Sequence, residues 1–430
     1  MNVGFFGIQY SFGLQQSAIN PIYDFLGASP DEIPLLNLAG PMTGLLVQPI
    51  IGTLSDRTWH PRWGRRKPYF FIGALLCSLA LFIYPFSSSL WMAAGLLWIL
   101  DAGNNTAMEP YRAFIADKLP ADQQATGFLS QSFFTGLGIT LANISLFIFQ
   151  KFITGEHGHI PYWVFGSFFL GSVCSISSVL WSMSKTPEIP PTAEELEQIR
   201  QHKGGIFSPF LEIMEAIKDM PKVMWQLALV YVFQWYALFC YWQNASKSIA
   251  QSVWHTTPNA DKQLYEEAVG WTGLVNGWYN IATFLSAFAL VGLAKKYSPK
   301  LVHVLCLIIA GVGLLIFPHI ENKYLLFAPM TGFGIAWASM MGVPYLMVIS
   351  EIPKERYGVY MGIINMMIVI PMIIQNLTFG YVLEHFLDND PGKAITFAGV
   401  FLLIASGATM LMKSGKVQDG MEIPTGVGGH

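Results

Sequence analysis

The stretch Trp98-Ile-Leu-Asp101-Ala-Gly-Asn104-Asn105-Thr-Ala-Met-Glu109-Pro110-Tyr-Arg112-Ala-Phe-Ile-Ala-Asp117 lies in an apolar segment running from about Leu90 to Ala116. Such a segment is long enough to cross a bilayer as a helix. At about 100° per residue, Asn105, Glu109 and Arg112 all fall within about 80° of Asp101, so the four share one face. Each charge at bilayer depth costs about 2.5–3.5 kcal/mol on insertion scales. Three on one face therefore require a wet or paired interior. A pathway for a solute or ion meets that requirement, and so does an ion-paired stripe that only holds helices together. Intramembrane charges usually mark pathways, which favours the first reading.

The rest of the composition agrees with a membrane setting. The chain is 53% hydrophobic and 12% charged, with a mean hydropathy of +0.44, whereas soluble domains carry about 25% charged residues. An all-α integral membrane protein of about a dozen spans is expected, embedded in a lipid bilayer and without a nucleic-acid partner. The net charge of −3 says little. Cys77, Cys174, Cys240 and Cys306 fall in four different apolar segments, so they read as small core residues, not as a disulfide or zinc framework. The histidines form no metal spacing, and no phosphate loop or nucleophile elbow is present, so no enzyme is expected. The first apolar segment lacks a basic leader and contains Gln9, Gln15, Gln16 and Asn20, which makes it a span and not a cleaved signal.

Helix-length windows fall at about 4–27, 34–55, 69–86, 90–116, 123–152, 162–182, 223–250, 269–293, 300–318, 323–350, 357–384 and 393–412. With both termini cytoplasmic, the inner loops and tail hold 18 of the 24 Lys and Arg. The outer loops hold Lys151, Lys262, Lys323 and Lys393, and the positive-inside bias therefore sets the orientation. The one long polar connection, 183–222, opens with Pro187, Pro190 and Pro191. A short surface helix is expected at Glu194-Glu195-Leu-Glu197, with a break at Gly204-Gly205. The expected division is a six-helix bundle over 1–182, a cytoplasmic linker over 183–222, a second six-helix bundle over 223–412 and a cytoplasmic tail over 413–430. Weak internal symmetry supports it. Pro110-Tyr111 is followed by Asp117, Pro120 and Gly127, and Pro344-Tyr345 by Glu351, Pro353 and Gly362. Repeated halves with a midplane site between them are a common build of secondary transporters.

The loop between the second and third spans reads Gly52-Thr-Leu-Ser-Asp56-Arg57-Thr-Trp-His-Pro-Arg62-Trp-Gly64-Arg65-Arg66-Lys67-Pro68. Gly52 permits close helix approach, and Asp56 can pair with an arginine or meet a helix N-terminus. This combination resembles the signature loop of the major facilitator superfamily. Six residues separate Asp-Arg from Gly-Arg-Arg where the usual pattern has one, which is similar to the sucrose transporter branch and its bacterial and animal relatives. Gly7-Ile-Gln9-Tyr-Ser-Phe-Gly-Leu14-Gln15 and Gly40-Pro41-Met-Thr-Gly44-Leu-Leu-Val-Gln48-Pro49-Ile-Ile-Gly52 look like that branch's first two spans. Trp98-Ile-Leu-Asp101-Ala-Gly-Asn104-Asn105, with Pro110 and Arg112-Ala113, looks like its fourth. The seventh span, Phe233-Gln234-Trp235-Tyr236-Ala-Leu-Phe-Cys-Tyr241-Trp242-Gln243-Asn244, lacks the acids of plant sequences and carries Lys247 instead.

The resemblance implies a monomeric bacterial inner-membrane symporter with the twelve-helix major facilitator fold. Its substrate would be an α-glucoside disaccharide, sucrose- or maltose-like, and its only cofactor the coupling ion. That ion is a proton by the resemblance, with sodium as the alternative, and the proton-coupling set is Asp101, Glu109 and Arg112. A sodium-coupled glycoside or hexuronide carrier and a non-transporting sugar sensor are the competing readings. A sugar needs polar groups for its hydroxyls and flat apolar faces for its C–H side. Gln15, Gln16, Asn104, Asn105, Arg112, Gln131, Trp235, Gln243, Trp278, Asn280, Trp337 and Asn365 are the candidates for substrate contact. Gly52, Asp56, Arg57, Arg65 and Arg66 form the conformational gate, as a tie across the bundles. Asp24, Lys247, Glu384 and His385 are expected at wet outer helix ends.

Overall fold

A computed structural model describes residues 1–188, 190, 196–197, 208–348 and 357–412. Among them, twelve long helices follow one another: α1 (Val3–Phe25), α2 (Ala39–Asp56), α3 (Lys67–Ile83), α4 (Leu90–Lys118), α5 (Ala121–Phe152), α6 (Tyr162–Lys185), α7 (Lys222–Trp254), α8 (Lys262–Lys296), α9 (Pro299–Ile316), α10 (Phe327–Val348), α11 (Tyr357–Phe386) and α12 (Pro391–Leu411). Each expected window overlaps one. The second starts later than expected, because a short helix, Ile33–Leu36, ends at Asn37, whose side-chain amide donates to the carbonyl of Ile33 and to Asn20 of α1. That break turns Asn37 inward. Pro110 and Pro344 lie inside α4 and α10, the fourth helix of each half.

Of the short helix expected near Glu194, Leu196 and Glu197 are helical, while Glu194, Glu195 and Gly204-Gly205 lie outside the described residues. So do Glu351 and Pro353 of the second repeat, and the tail 413–430.

In the first half α1 packs on α5 and α6, α3 on α4 and α6, and α2 on α4. In the second, α7 packs on α11 and α12, α9 on α10 and α12, and α8 on α10. The halves meet chiefly along α5 and α8, with smaller contacts of α1 with α7 and α8 and of α2 with α11. A second short helix, Ser208–Lys218, touches both α2 and α11.

Lipid tails are as apolar as leucine, so helices associate here through close packing and polar contacts instead of escape from water. The outer faces show this directly. Leu301, Leu305, Ile309, Val312 and Ile316 form an exposed apolar stripe along α9, while Val302, Cys306 and Ala310 face inward. Nine of the described helices are apolar enough to span by composition alone. The three that fall short, α1, α4 and α8, carry much of the buried polar set, including Asn20, Asp24, Asp101, Asn105, Asn276 and Asn280.

Small residues set the closest crossings. A Cβ on Gly73 of α3 would lie 2.6 Å from the backbone nitrogen of Ala107, and one on Gly103 of α4 would lie 2.9 Å from that of Cys77. Neither backbone can yield without parting the helices. Gly73→Val should therefore destabilise the protein by about 1–3 kcal/mol, read as a lower thermal midpoint in detergent. Gly95→Ala, on the same α4 but facing open space, should leave the midpoint unchanged or slightly raised.

Candidate functional site

α1, α2, α4, α7 and α11 surround a central cavity whose empty space, counted together with its opening to solvent, is about 860 Å³. Helical spacing explains which side chains reach it. Along α4, Leu97, Asp101 and Asn105 recur every four residues, and along α7 Trp235, Phe239 and Trp242 do so at four and three. α1 supplies Phe12, Gln15, Gln16, Ile19 and Asn20. Asn37 enters from the break before α2, and Gly40 keeps the wall thin, since a Cβ there would stand 3.6 Å from the Asp101 carboxylate.

The cavity is polar on one side and aromatic on the other. Asp101 is buried and is the only ionisable residue among those lining the space. Asn105 is held by three bonds: its Nδ2 donates to the Asp101 carbonyl (2.9 Å) and to Thr43 Oγ1 (3.1 Å), and its Oδ1 accepts from Gln48 Nε2 (2.6 Å). Gln15, also in the lining, turns its amide towards the Asp101 carboxylate, so the acid and this amide make one polar wall. Gln243 is oriented from behind, donating to Asn376 (2.7 Å) and accepting from Gln375 (2.8 Å).

Of the residues anticipated from sequence, Gln15, Gln16, Asp101, Asn105, Trp235 and Gln243 line the cavity. Trp337 stands behind it, edge-on to both Trp235 (5.7 Å between centroids) and Trp242 (5.5 Å). Asn104, one step round α4 from Asn105, instead ties α4 to α1 and α3, donating to Ser11 at 2.9 Å and meeting Cys77 at 3.2 Å. Asn280 bonds back to its own helix at Asn276. Asn365 reaches Gln48 across the bundles at 3.4 Å. Gln131 is buried on α5 outside the lining set. Trp278 is 39% exposed on the outer face, its indole bonded to Thr331. Sequence reasoning missed Phe12, Asn20, Asn37, Phe239 and Trp242. Helical spacing from Trp235 would have found Phe239 and Trp242, and spacing from Gln16 would have found Asn20.

Glu109 and Arg112 form one pair, 3.9 Å apart and partly exposed, with Arg112 also reaching Met108 Sδ at 3.4 Å. About 16 Å of helical rise separates Arg112 from Asp101, so these charges form two sites and not one cluster.

At the end of the molecule carrying the basic loop, Arg66 is the hub. Its guanidinium bonds Asp56 (2.7 Å), Asp117 (2.8 Å) and Ser55 (2.6 Å), while Arg65 approaches Asp56 at 3.4 Å. The Glu188 carboxylate accepts from the backbone N–H groups of Arg65, Arg66 and Lys67 at 2.7, 2.9 and 2.9 Å, where the N-terminus of α3 favours an anion. Gly52 lets Glu109 lie against α2, a Cβ there being 3.6 Å from Glu109 Cγ, and Arg57 caps α2 through its backbone. The side-chain partners of Arg65 and Arg66 named here belong to the first half, and Glu188 to the linker that follows it. Among the described residues the named contacts of Arg65 and Arg66 brace the first half, and none of them is the expected tie across the bundles.

The opposite end reverses another expectation. Glu384 and His385 are exposed, but Asp24 and Lys247, expected to be wet, are buried against each other, because α1 meets α7 and α8 there.

A sequence profile described as Major Facilitator Superfamily matches residues 1–375. Sucrose transport protein SUT5 of Oryza sativa subsp. indica is 25% identical, over 99% of this chain and 88% of that protein. Sucrose transport protein SUC4 of Arabidopsis thaliana is 24% identical, over 95% and 89%. Among solved structures, the nucleoside transporter NupG aligns with a TM-score of 0.71 at 13% identity, covering 96% of this chain and 99% of that one. A D-xylose-proton symporter aligns at 0.67 and 14%, covering 97% of each. At these identities the structures share the fold.

The Arg66 brace makes a testable demand. Lysine cannot serve three acceptors in the geometry of a planar fork. Arg66→Lys should lower stability by about 1–2 kcal/mol, the partial exposure of Asp56 and Asp117 limiting the loss. A fall in the thermal midpoint in detergent, with ligand binding at the cavity retained, would verify it.

Proposed function

The chain belongs to the Major Facilitator Superfamily, and on that premise we propose that it is a proton-coupled symporter of a neutral α-glucoside disaccharide, sucrose- or maltose-like. The observation that carries this reading is the wall of the central cavity. It combines amides, a single carboxylic acid and an aromatic rail, and among the described residues lining it there is no lysine or arginine. Amides at Gln15, Gln16, Asn20 and Gln243 suit sugar hydroxyls, and Trp235 and Trp242 suit the C–H faces of pyranose rings. A hexuronide would bring a second carboxylate beside Asp101 into a space whose described lining offers no cation, which argues against that competitor. The relatives named as sucrose transport proteins support the same class.

In this mechanism Asp101 carries the proton. It sits near the middle of α4, where a carboxylate must be either neutral or matched. The sugar binds best when Asp101 is protonated, and rocking of the two bundles then moves both across. The cavity is shielded at the Asp24 end, and the basic-loop end faces the cytoplasm of the inner membrane, in accord with the positive-inside bias.

Asp101→Asn imitates the protonated form. In proteoliposomes it should abolish concentrative uptake driven by a pH gradient while keeping pH-insensitive exchange of sucrose or maltose. The same vesicles, supplied with a sodium gradient in place of a pH gradient, test the alternative ion. Concentrative, pH-driven uptake by Asp101→Asn would overturn the role of this residue. Failure of every neutral disaccharide to exchange through the wild-type protein would overturn the substrate class and leave a sensor as the better reading.

A further inference from the structure

One turn beyond the cavity, on the side away from the basic loop, a charged cluster joins the two halves. Asp24 of α1 is 6% exposed and Lys247 of α7 is 5% exposed. Lys247 Nζ lies 3.5 Å from Asp24 Oδ1, and Tyr265 of α8 donates a hydrogen bond to Asp24 Oδ2. Phe25 covers the cluster, meeting Tyr265 and Trp163 edge-on at 5.8 and 6.3 Å. Other polar contacts between the halves gather around it: Asn20 Nδ2 to the Trp242 carbonyl (3.3 Å), Asn276 to Ser17 (2.9 Å), Trp163 to Glu266 (2.8 Å), and the ion pair of Lys262 with Glu156.

We propose that Asp24, Lys247 and Tyr265 form a latch that holds this end of the cavity shut and must part each time the cavity opens there. Nothing in this depends on the identity of the substrate. It follows from alternating access, because α1 cannot leave α7 and α8 without separating Asp24 from both of its partners. The state dependence has a simple physical origin. In the closed state each charge has surrendered its water, Lys247 being matched by Asp24, and Asp24 by Lys247 and the Tyr265 hydroxyl; in the open state both are hydrated. Removing one partner strands the other in the closed state alone, where an uncompensated buried charge is costly, so the equilibrium moves towards opening. Removing both lifts the two burial penalties together and moves it much less. Asn20 and Gln243 sit one helical turn from Asp24 and Lys247 respectively, and both line the cavity. Whatever bridges those amides therefore draws together the helices that carry the latch.

The test uses the full-length protein in detergent, with the four native cysteines replaced by alanine and a reporter Ser246→Cys. Ser246 is 5% exposed and lies 3.5 Å from the Tyr265 hydroxyl, so a maleimide reaches it only when the latch opens. Asp24→Asn and Lys247→Gln should each accelerate labelling at least about tenfold, and Tyr265→Phe by less. The double variant Asp24→Asn/Lys247→Gln and the exchange Asp24→Lys/Lys247→Asp should both label within about threefold of the parent. Unchanged labelling in both single variants would overturn the latch. So would labelling of the double variant as fast as either single, because the effect would then belong to packing and not to the pair. Where one single variant fails to fold, the other is compared with the double variant and the exchange, and the same outcomes decide.

Discussion

Inside a bilayer no water is available to complete a polar group, so every one must be matched by another or face a wet space. That constraint organises this molecule. The polar residues of α1, α4 and α8 are too many for lipid, and they are placed in three ways. Some match one another within a half, as Asn104 does with Ser11. Others match across the halves, as Asp24 does with Lys247. The remainder, Asp101 and Gln15 foremost, turn into the central cavity. The first class gives stability, the second conformation and the third binding.

The two ends of the bundle handle charge differently. At the basic-loop end Arg66, Asp56, Asp117 and Glu188 brace α2, α3 and α4 as one rigid unit, half in water. At the other end ion pairs join the halves, Asp24 with Lys247 buried and Glu156 with Lys262 at the surface. A molecule built this way can rock as two bodies while each body keeps its shape, which is what a shared midplane site requires.

The helices were legible because a span must be long and apolar, and the single acid of the cavity because a carboxylate at the centre of α4 demands a reason. Adjacent residues were harder to separate. Asn104 and Asn105 differ by about 100° of helix, and only tertiary packing decides that the first braces while the second lines the cavity. Asn37 reaches the cavity through a helix break just after Leu36 that hydropathy does not register. Asp24 and Lys247 read as solvated helix ends, since 223 positions separate them in the chain and a pairing at that distance has no local signature. Trp278 reads like Trp235 by type and depth, yet one faces outward and the other inward.

Coupling of sugar to proton movement through this cavity is most directly tested by adding sucrose or maltose to lightly buffered proteoliposomes with no imposed gradient, while external pH and tracer sugar are followed together. The predicted result is a sugar-dependent alkalinisation outside the vesicles that tracks sugar entry and vanishes when a protonophore is added. Tracer entry with no accompanying pH change would contradict proton symport.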